Sequence, residues 1–408
     1  MISPKPKALF LVHRIPYPPD KGDKIRSWQI FQLLTKRFDL YTGFFVDDAE
    51  DLQYVDFLRT QCVEVNAVTL SPRLARLRSL SGLLTGQPLS FPYYQSAQMA
   101  SWLKNIRQHQ LSAEIVFSSS MFPYTNKSSA PVLVDLCDAD SAKWSAYAER
   151  QAFPMSWVYR REGRLLGDVE ATITREASAS FLITPEEAEI VRTHPQAAPE
   201  NVLTFGNGVD IDYFNQNAVQ PGNVPQRDLV FTGAMDYEPN IEAVIWFAEN
   251  VWGRLREQNP HLSWAIVGAR PGSRVQALSS LSGVTVTGRV DDIRPWIAGA
   301  KIAIAPLQIA RGLQNKVLEA MAMAKPVIAT SGAAEGIGAA SGQDLLIRDQ
   351  PAEYVDAIKS LLADAQKRQK LGRSARVFIE GQFSWEAQLR PLSQRLDALA
   401  AAKDAAVS

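Results

Sequence analysis

Short hydrophobic runs alternate with longer amphipathic segments through most of the chain. In the first half the runs are KALFLVH, DLYTGFFV, AEIVFSSS and PVLVDLCD, and the segments between them include KIRSWQIFQLLTKRF and AEDLQYVDFLRT. Runs rich in β-branched and aromatic residues predict buried strands, and segments with helical periodicity predict the helices that connect them. This alternation is typical of a parallel sheet with crossover helices, so the fold class is α/β.

A second series of the same kind begins near residue 201. Its predicted strands are NVLTF, RDLVFTG, LSWAIVG, VTVTGRV, KIAIAPL, KPVIAT and DLLIR. We therefore predict two doubly wound, Rossmann-like domains that face each other across a cleft. We place the hinge between residues 185 and 206, before the turn-prone FGNGVD and the Pro-, Gly- and Asn-rich loop at 216–226. The predicted boundaries are 1–195, 196–380 and a helix at 381–408 that crosses back to the first domain.

Composition narrows the functional classes. The chain has 408 residues with 43 Lys plus Arg and 43 Asp plus Glu, so its net charge does not favour nucleic acid as a partner. The two cysteines, Cys62 and Cys137, fit no metal-ligand spacing and favour a reducing compartment. The run ALFLV is too short for a signal peptide, and no stretch is long enough for a membrane span. A cytoplasmic protein is expected.

The stretch ARGLQNKVLEAMAMAKPVIAT, residues 310–330, has the strongest chemical pattern. Arg311 and Gly312 would lie in the loop after the strand KIAIAPL, and a helix would begin between Leu313 and Asn315. A glycine beside a helix N-terminus forms an anion site, because a phosphate can approach the backbone N–H groups there. Lys316 would add charge for a diphosphate, and Glu319, on the same helix face, could accept ribose hydroxyls. The alternative is a Lys–Glu pair on a helix surface.

Further motifs accompany this stretch in the second half: FTGAMDYEPN at 231–240, AIVGARP at 265–271, TGRVDDIRPWIAGA at 287–300 and GNGVDIDYF at 206–214. As a set they resemble glycosyltransferase family 4, the retaining transferases of GT-B fold. In the first half, PYPPDKGDKIRSWQIFQLL and VDLCDADSAKWSAY resemble a branch associated with bacterial exopolysaccharide clusters and PEP-CTERM exosortase systems. The resemblance implies transfer from a nucleoside-diphosphate sugar, a co-substrate, with no metal and no other cofactor.

The resemblance also implies a set of donor-binding residues: Gly22, Asn207, Gly233, Asn240, Gly268, Arg289, Val290, Arg311, Gly312, Leu313, Lys316 and Glu319. The sequence departs from the family pattern at two of them. Arg311 stands where the family usually has the first of two glutamates, and Asn240 stands near an expected lysine. We therefore expect Arg311, Lys316 and helix N–H groups to bind the phosphates.

The first domain offers further candidates. HRIPYPPDKGDKIRS contains Gly22, which by resemblance faces the donor phosphate, although the segment also fits a Pro-rich surface loop. His13 follows the first strand and could contact substrate or serve as a structural hydrogen-bonding group. Clustered carboxylates in VDLCDAD, namely Asp135, Asp138 and Asp140, could hold sugar hydroxyls, act as acid or base, or cap a helix. The predicted catalytic set is Lys316, Glu319, Asp138 and His13.

Two helical segments of the first half raise further alternatives. Glu162 and Glu170 in YRREGRLLGDVEATITREAS could face the acceptor, although this segment is chiefly a solvated helix face. SPRLARLRSLSGLLTG, residues 71–86, could rest on an anionic membrane that holds a lipid-linked acceptor. Arg73 falls among Leu74, Leu77, Leu80 and Leu84 on a helical wheel, so an ordinary surface helix also fits.

The predicted function is sugar transfer from a nucleoside-diphosphate donor to a saccharide or lipid-linked saccharide in exopolysaccharide synthesis. Contact with the cytoplasmic face of the inner membrane would be peripheral. Two alternatives remain open at this point. A sugar-nucleotide epimerase would share the architecture, and a non-catalytic subunit would fit the missing first glutamate.

Overall fold

The chain forms two compact units. The computed structural model describes residues 5–125, 130–219, 226–309 and 313–407. One unit comprises Met1–Asn207 and Leu389–Ser408, and the other comprises Gly208–Gln388. Each unit contains one parallel β-sheet with helices between successive strands.

The first unit is built on a seven-stranded sheet of order β3-β2-β1-β4-β5-β6-β7. The strands are β1 Lys7–Val12, β2 Asp39–Val46, β3 Glu64–Thr69, β4 Leu111–Phe117, β5 Val132–Cys137, β6 Ala179–Leu182 and β7 Val202–Thr204. The helices are α1 Gly22–Arg37, α2 Val55–Arg59, α3 Pro72–Ser79, α4 Ser81–Thr85, α5 Ser90–Tyr93, α6 Ala97–Ile106, α7 Asp140–Glu149, α8 Met155–Glu176 and α9 Pro185–Arg192. The central strand β1 is buried along Ala8–Val12, which explains its unbroken apolar run.

The second unit is built on a six-stranded sheet of order β10-β9-β8-β11-β12-β13. The strands are β8 Arg227–Thr232, β9 Trp264–Val267, β10 Val284–Val286, β11 Ala300–Ala305, β12 Val327–Ala329 and β13 Leu346–Ile347. The helices are α10 Glu238–Phe247, α11 Gly253–Gln258, α12 Ser273–Gln276, α13 Arg294–Gly299, α14 Asn315–Ala322, α15 Ser331–Ala334, α16 Pro351–Ala363, α17 Ala365–Gln382 and α18 Trp385–Gln388. A last helix, α19 Arg390–Val407, belongs to the first unit.

The structure corrects the predicted boundary after residue 195. NVLTF was predicted to open the second domain, but Val202–Thr204 forms β7 at the edge of the first sheet, where Val202 pairs with Ser180 of β6. Residues 196–207 therefore belong to the first unit. The apolar run predicted the strand, but hydrophobic periodicity does not encode which sheet a short strand joins.

The boundary after residue 380 also differs from the prediction. The segment 381–388 stays with the second unit, because the Val209 N–H donates to the Phe383 carbonyl at 2.7 Å and Val209 bridges Ser384. Leu389 begins the return to the first unit. There α19 contacts β4, and Arg37 of α1 forms an ion pair with Asp397.

Strand order predicts where each sheet can bind a ligand. In the second sheet the order reverses between β8, the first strand, and β11, the fourth, and the first sheet reverses in the same way between β1 and β4. Loops that leave the carboxyl ends of two such strands diverge and open a crevice. In the second unit these are the loops after Thr232 and after Ala305. Among the described residues no helix is long and apolar enough to cross a membrane.

Candidate donor site

A cavity of about 690 Å³ lies where the loops after β8, β9, β10 and β11 meet. Eight residues predicted to bind the donor line it: Gly233, Asn240, Gly268, Arg289, Val290, Leu313, Lys316 and Glu319. The loop of Gly233, the loop of Gly268 and the first turn of α14 all line the cavity. The order of the strands, not the order of the sequence, brings these motifs to one place.

Backbone forms one wall of the cavity, where the ends of β8 and β9 approach each other closely. The Gly233 N–H donates to the Val267 carbonyl at 3.0 Å, and the Met235 N–H donates to the Ala269 carbonyl at 2.8 Å. A Cβ at Gly268 would lie 1.7 Å from the Gly233 carbonyl oxygen. Only glycine allows this approach, which leaves the backbone itself exposed to a ligand.

Gly268→Ala is therefore expected to destabilise the second unit by about 1–3 kcal/mol, because the methyl group overlaps main-chain atoms that cannot rotate away. Gly272→Ala is the matched control, since a Cβ at Gly272 has no atom within 4 Å. Urea unfolding followed by circular dichroism measures both changes. Equal stability of the two variants would contradict the close approach.

Asn240 holds the loop that follows β8. It lies in the first turn of α10, is only 4% exposed, and its Nδ2 donates to the Ala234 carbonyl at 2.9 Å. Its Oδ1 is buried, and within the described residues this oxygen has no hydrogen-bond partner. A buried amide oxygen without a partner favours a ligand donor group or water. At a position near which the family pattern has a lysine, the Asn240 amide thus holds the loop through its Nδ2 and leaves its Oδ1 as a hydrogen-bond acceptor.

Lys316 and Glu319 form the charged part of the cavity. As predicted, α14 begins within residues 313–315, at Asn315, and among the described residues no side chain caps its first turn. The Lys316 Nζ donates to the Gln314 Oε1 at 3.0 Å and lies 6.0 Å from the centre of the Phe231 ring. Partial burial lowers the pKa of Lys316 to about 8, although Glu319 opposes the shift. Burial likewise raises the pKa of Glu319 to about 7 against the effect of Lys316.

These pKa values describe a site prepared for an anion. An ammonium group that has lost part of its hydration recovers favourable electrostatic energy when a phosphate approaches it. Lys316 and Glu319 both titrate close to neutrality, and the charge on each group affects the pKa of the other. Lys316 would face the diphosphate and Glu319 could accept hydroxyl hydrogen bonds.

Affinity for a nucleoside diphosphate is expected to fall as the pH rises above about 8, where the free protein loses the Lys316 proton. Bound phosphate raises the pKa of this lysine, so each pH unit between the free and bound values weakens binding by up to roughly tenfold. Calorimetric titration with UDP at pH values on both sides of 8 measures the effect. A Lys316→Met variant should lose this alkaline decline, and an unchanged decline would assign it to another group.

Two of the remaining predicted donor residues, Gly22 and Asn207, lie in the first unit. Arg311 and Gly312 fall outside the described residues. Gly22 begins α1, where a Cβ would have no atom within 4 Å, and Asn207 ends the first stretch of the first unit. The Asn207 Oδ1 accepts from Arg26 at 3.4 Å. Gly22 and Asn207 therefore do not belong to the cavity of the second unit.

Several cavity residues were not predicted: Tyr237, Arg270, Ile293, Gln314 and Asn315. All of them lie within a few residues of predicted positions, in the same loops. These residues line the cavity because the loops that contain them converge at the strand ends. The predicted strands would therefore have been enough to indicate these loop residues. Arg270 is held beside the cavity by an ion pair with Asp236.

In the first unit, His13 belongs to a polar cluster after β1. Its Nε2 lies 3.4 Å from the Asp23 Oδ2, and its ring stacks on Phe117 at 5.7 Å between centroids. Arg14 donates to the same Asp23 oxygen at 2.9 Å. The His13 hydrogen bond and the Arg14 charge hold the pKa of Asp23 well below its usual range against the opposing effect of burial. The cluster lies at the reversal between β1 and β4, where an open sheet binds ligands.

Asp135 has a structural partner. Arg26 donates to both of its carboxylate oxygens, at 2.7 and 3.0 Å, and stacks on the Phe205 ring at 3.8 Å. Both side chains are almost fully buried. The acid, base or sugar-binding role considered for Asp135 is therefore wrong, because its oxygens face a buried guanidinium. Asp138 lies partly buried between β5 and α7.

The other candidate carboxylates of the first unit also bind protein groups. Asp140 lies in the first turn of α7, with the Ser119 Oγ 3.4 Å from its Oδ2. Glu170 accepts from the Ser141 N–H and hydroxyl at the same helix end, and Glu162 accepts from the Leu89 N–H at 2.7 Å. Both glutamates are buried, so the suggestion that they face an acceptor is wrong.

Within the described ranges no group of three or more metal-ligating side chains could hold a metal ion.

Comparison with known proteins agrees with this geometry. Residues 226–364, which contain the cavity and every strand of the second sheet, match the family model described as glycosyl transferases group 1. The chain has the GT-B fold. This fold confirms the predicted fold class, and the matched region is similar to glycosyltransferases, as predicted. The narrower assignments to family 4 and to exosortase systems stay predictions.

The similar proteins are distant in sequence, and the solved structures among them share the fold. The chain is 24% identical over 249 residues to D-inositol 3-phosphate glycosyltransferase of Paenarthrobacter aurescens, a match that spans 56% of this chain and 59% of the relative. Anabaena HepE, solved in complex with UDP, is 16% identical and covers 96% of this chain and 100% of its own, with a TM-score of 0.62. Sucrose-phosphate synthase from Thermosynechococcus elongatus is 17% identical and covers 98% of this chain and 100% of its own, with a TM-score of 0.61.

Proposed function

We propose that this protein is a glycosyltransferase that moves a sugar from a nucleoside-diphosphate donor to a hydroxyl group of a saccharide or lipid-linked saccharide. The observation that carries the proposal is the cavity of the second unit, where Lys316 and Glu319 stand beside a glycine-lined backbone wall. HepE has been solved with UDP and with UDP-glucose, which supports a donor of this class.

Each part of the cavity fits one part of such a donor. The first turn of α14 and the Lys316 ammonium suit the diphosphate, because both present positive charge to the same region. The Glu319 carboxylate suits vicinal ribose hydroxyls, which donate hydrogen bonds. The loops of Gly268 and Arg289, which line the cavity, would offer backbone groups to the base. No metal ion or other cofactor takes part in this proposal.

In the proposed reaction the bond between the sugar C1 and the diphosphate oxygen breaks, and a bond from C1 to the acceptor oxygen forms. Negative charge develops on the diphosphate as it leaves with the electron pair of the broken bond, and one of its oxygens takes up the proton of the acceptor hydroxyl. Lys316 and the N-terminus of α14 would stabilise that charge where it appears. Retention of configuration and a role in exopolysaccharide synthesis complete the proposal, and both rest on the family resemblance.

A donor screen tests this proposal. UDP-, GDP-, ADP- and dTDP-sugars are titrated into the protein, and release of the nucleoside diphosphate is then followed with lipid-linked and free saccharide acceptors. We expect saturable binding of one donor and acceptor-dependent release. Binding without release would favour a non-catalytic subunit, interconversion of the donor sugar would favour an epimerase, and no binding would contradict the donor site.

A further inference from the structure

Arg270 has a strained backbone at the edge of the donor cavity. It lies in the loop after β9, shortly beyond Gly268, and it lines the cavity. Its φ is 56°, in the left-handed region that glycine adopts freely. Among other residues asparagine and aspartate enter this region most often, and a long side chain such as arginine gains nothing from it locally. The conformation is therefore costly for this residue and needs an explanation outside the loop itself.

Pairing with Asp236 does not provide that explanation. The Nε and Nη2 of Arg270 donate to the two carboxylate oxygens of Asp236, the second at 3.2 Å. The side chains are 69% and 44% exposed, and ion pairs so open to water contribute little to folding stability. Among the described residues, the remaining guanidinium nitrogen, Nη1, has no hydrogen-bond partner. A strained residue that lines a cavity and has a donor to spare favours contact with a ligand.

Strand order places Arg270 and Lys316 on opposite sides of one strand end. In the second sheet β8 lies between β9 and β11. Arg270 follows β9, Lys316 lies in the first turn of α14, which follows β11, and Gly233 follows β8 between them. All three residues line the same cavity. A diphosphate at the end of β8 would therefore have a cation on either side.

The charge of a diphosphate favours a second cation beside Lys316. Burial lowers the Lys316 pKa to about 8, so its ammonium group loses charge at mildly alkaline pH. A guanidinium stays charged throughout this range, and its planar fork matches two oxygens of one phosphate as it matches two of a carboxylate. Asp236 thus contacts the Arg270 guanidinium in the geometry that a phosphate would use.

We propose that Arg270 binds the donor diphosphate, and that the phosphate and Asp236 compete for its guanidinium. On donor binding two phosphate oxygens replace the Asp236 carboxylate, while Lys316 contacts the diphosphate from the side of α14. The inference rests on the proposed function, because it adds a residue to the same site. The sequence pattern predicted Arg311, Lys316 and helix N–H groups for this role, and not Arg270.

Calorimetric titration of an Arg270→Gln variant tests this role. UDP, GDP and ADP are titrated into the parent protein, and the diphosphate that binds most tightly is then used with the variant. We expect its affinity to fall roughly tenfold, because charge-assisted hydrogen bonds to phosphate are lost. The matching nucleoside, measured in competition with the diphosphate, should bind both proteins equally, since it has no phosphate.

Arg274→Gln is the matched control. Arg274 lies on α12, its guanidinium pairs with Glu238 and Glu242, and its side chain is 56% exposed, but it does not line the cavity. This variant should bind the diphosphate like the parent. Arg270→Gly provides a second test, since glycine adopts the left-handed backbone without strain. It should lose affinity as Arg270→Gln does, and its melting temperature should equal or exceed that of the parent.

Asp236→Asn tests the competition between the carboxylate and the phosphate. The substitution removes the negative charge that holds the guanidinium, so the diphosphate should bind roughly twofold to fivefold more tightly. In the Arg270→Gln background the same substitution should change affinity less, because no guanidinium remains to be released.

The proposal is wrong if Arg270→Gln leaves the affinity for the diphosphate unchanged. It is also wrong if the nucleoside loses affinity to the same extent, which would assign Arg270 to the base, or if Asp236→Asn weakens binding, which would show that the pair only holds the loop. These results would leave the proposed transferase intact, because the parent would still bind a donor. Failure of the parent to bind any of the three diphosphates would instead contradict the donor site itself, and this inference with it.

Discussion

Replacing Lys316 with methionine is expected to weaken binding of a nucleoside diphosphate roughly 100-fold, about 2.7 kcal/mol, because truncation removes a desolvated charge from the phosphate site. Methionine keeps most of the aliphatic stem that lies toward Phe231, so packing changes little. Calorimetric titration with UDP measures the loss. Folding stability should rise, since burial already lowers the Lys316 pKa and the charged form therefore costs free energy in the folded state at neutral pH.

Lys325→Met is the matched control for this prediction. Lys325 follows the same helix, burial lowers its pKa to about 8 as well, and its Nζ donates to the Ala298 carbonyl outside the cavity. This variant should bind UDP like the parent. Equal losses in the two variants would show that any buried lysine near α14 supports the fold of the site, and that Lys316 has no direct contact with phosphate.

Asp135→Ala is expected to destabilise the first unit by about 3–5 kcal/mol, because it leaves the fully buried Arg26 guanidinium without its carboxylate. Among the described residues, Arg26 would keep the Phe205 carbonyl, the Asn207 side chain and the face of the Phe205 ring. Urea unfolding measures the change. Replacing both partners, Arg26→Met with Asp135→Leu, should recover much of the loss, since no unpaired buried charge remains.

An exposed pair provides the comparison. Arg59 and Asp56 approach to 2.7 Å, as Arg26 and Asp135 do, but their side chains are 58% and 88% exposed. Asp56→Ala should cost at most about 0.5 kcal/mol, because water replaces the lost partner. A similar small cost for Asp135→Ala would contradict the structural role and return Asp135 to the list of substrate-binding candidates.

Much of the donor site could be predicted from sequence because its parts are local. A glycine loop after a buried strand, followed by Lys316 and Glu319 on one helix face, is contained within a few turns of chain. Because the carboxyl ends of parallel strands lie at one edge of the sheet, predicting the strands also predicts that the loops after them meet. The family resemblance named Gly233, Asn240, Gly268 and Arg289, and the converging strand ends explain why they line one cavity.

What could not be predicted depends on contacts between distant residues. Arg26 and Asp135 are 109 positions apart, and a sequence pattern does not indicate that this arginine enters the core beside that aspartate. Glu162 and Glu170 looked solvated because helical periodicity gives no sign that their oxygens bind the backbone N–H groups of Leu89 and Ser141. The short strand β7 joined the first sheet for a similar reason, since its pairing partner determines its domain.

A crystal structure of the protein with UDP tests the central claim most directly. We predict that the diphosphate lies within hydrogen-bond distance of the Lys316 Nζ at the start of α14, with ribose hydroxyls on the Glu319 carboxylate and the base near Gly268 and Arg289. Electron density for UDP elsewhere in the molecule, with the cavity between β8 and β11 empty, would contradict the donor site and with it the proposed transferase.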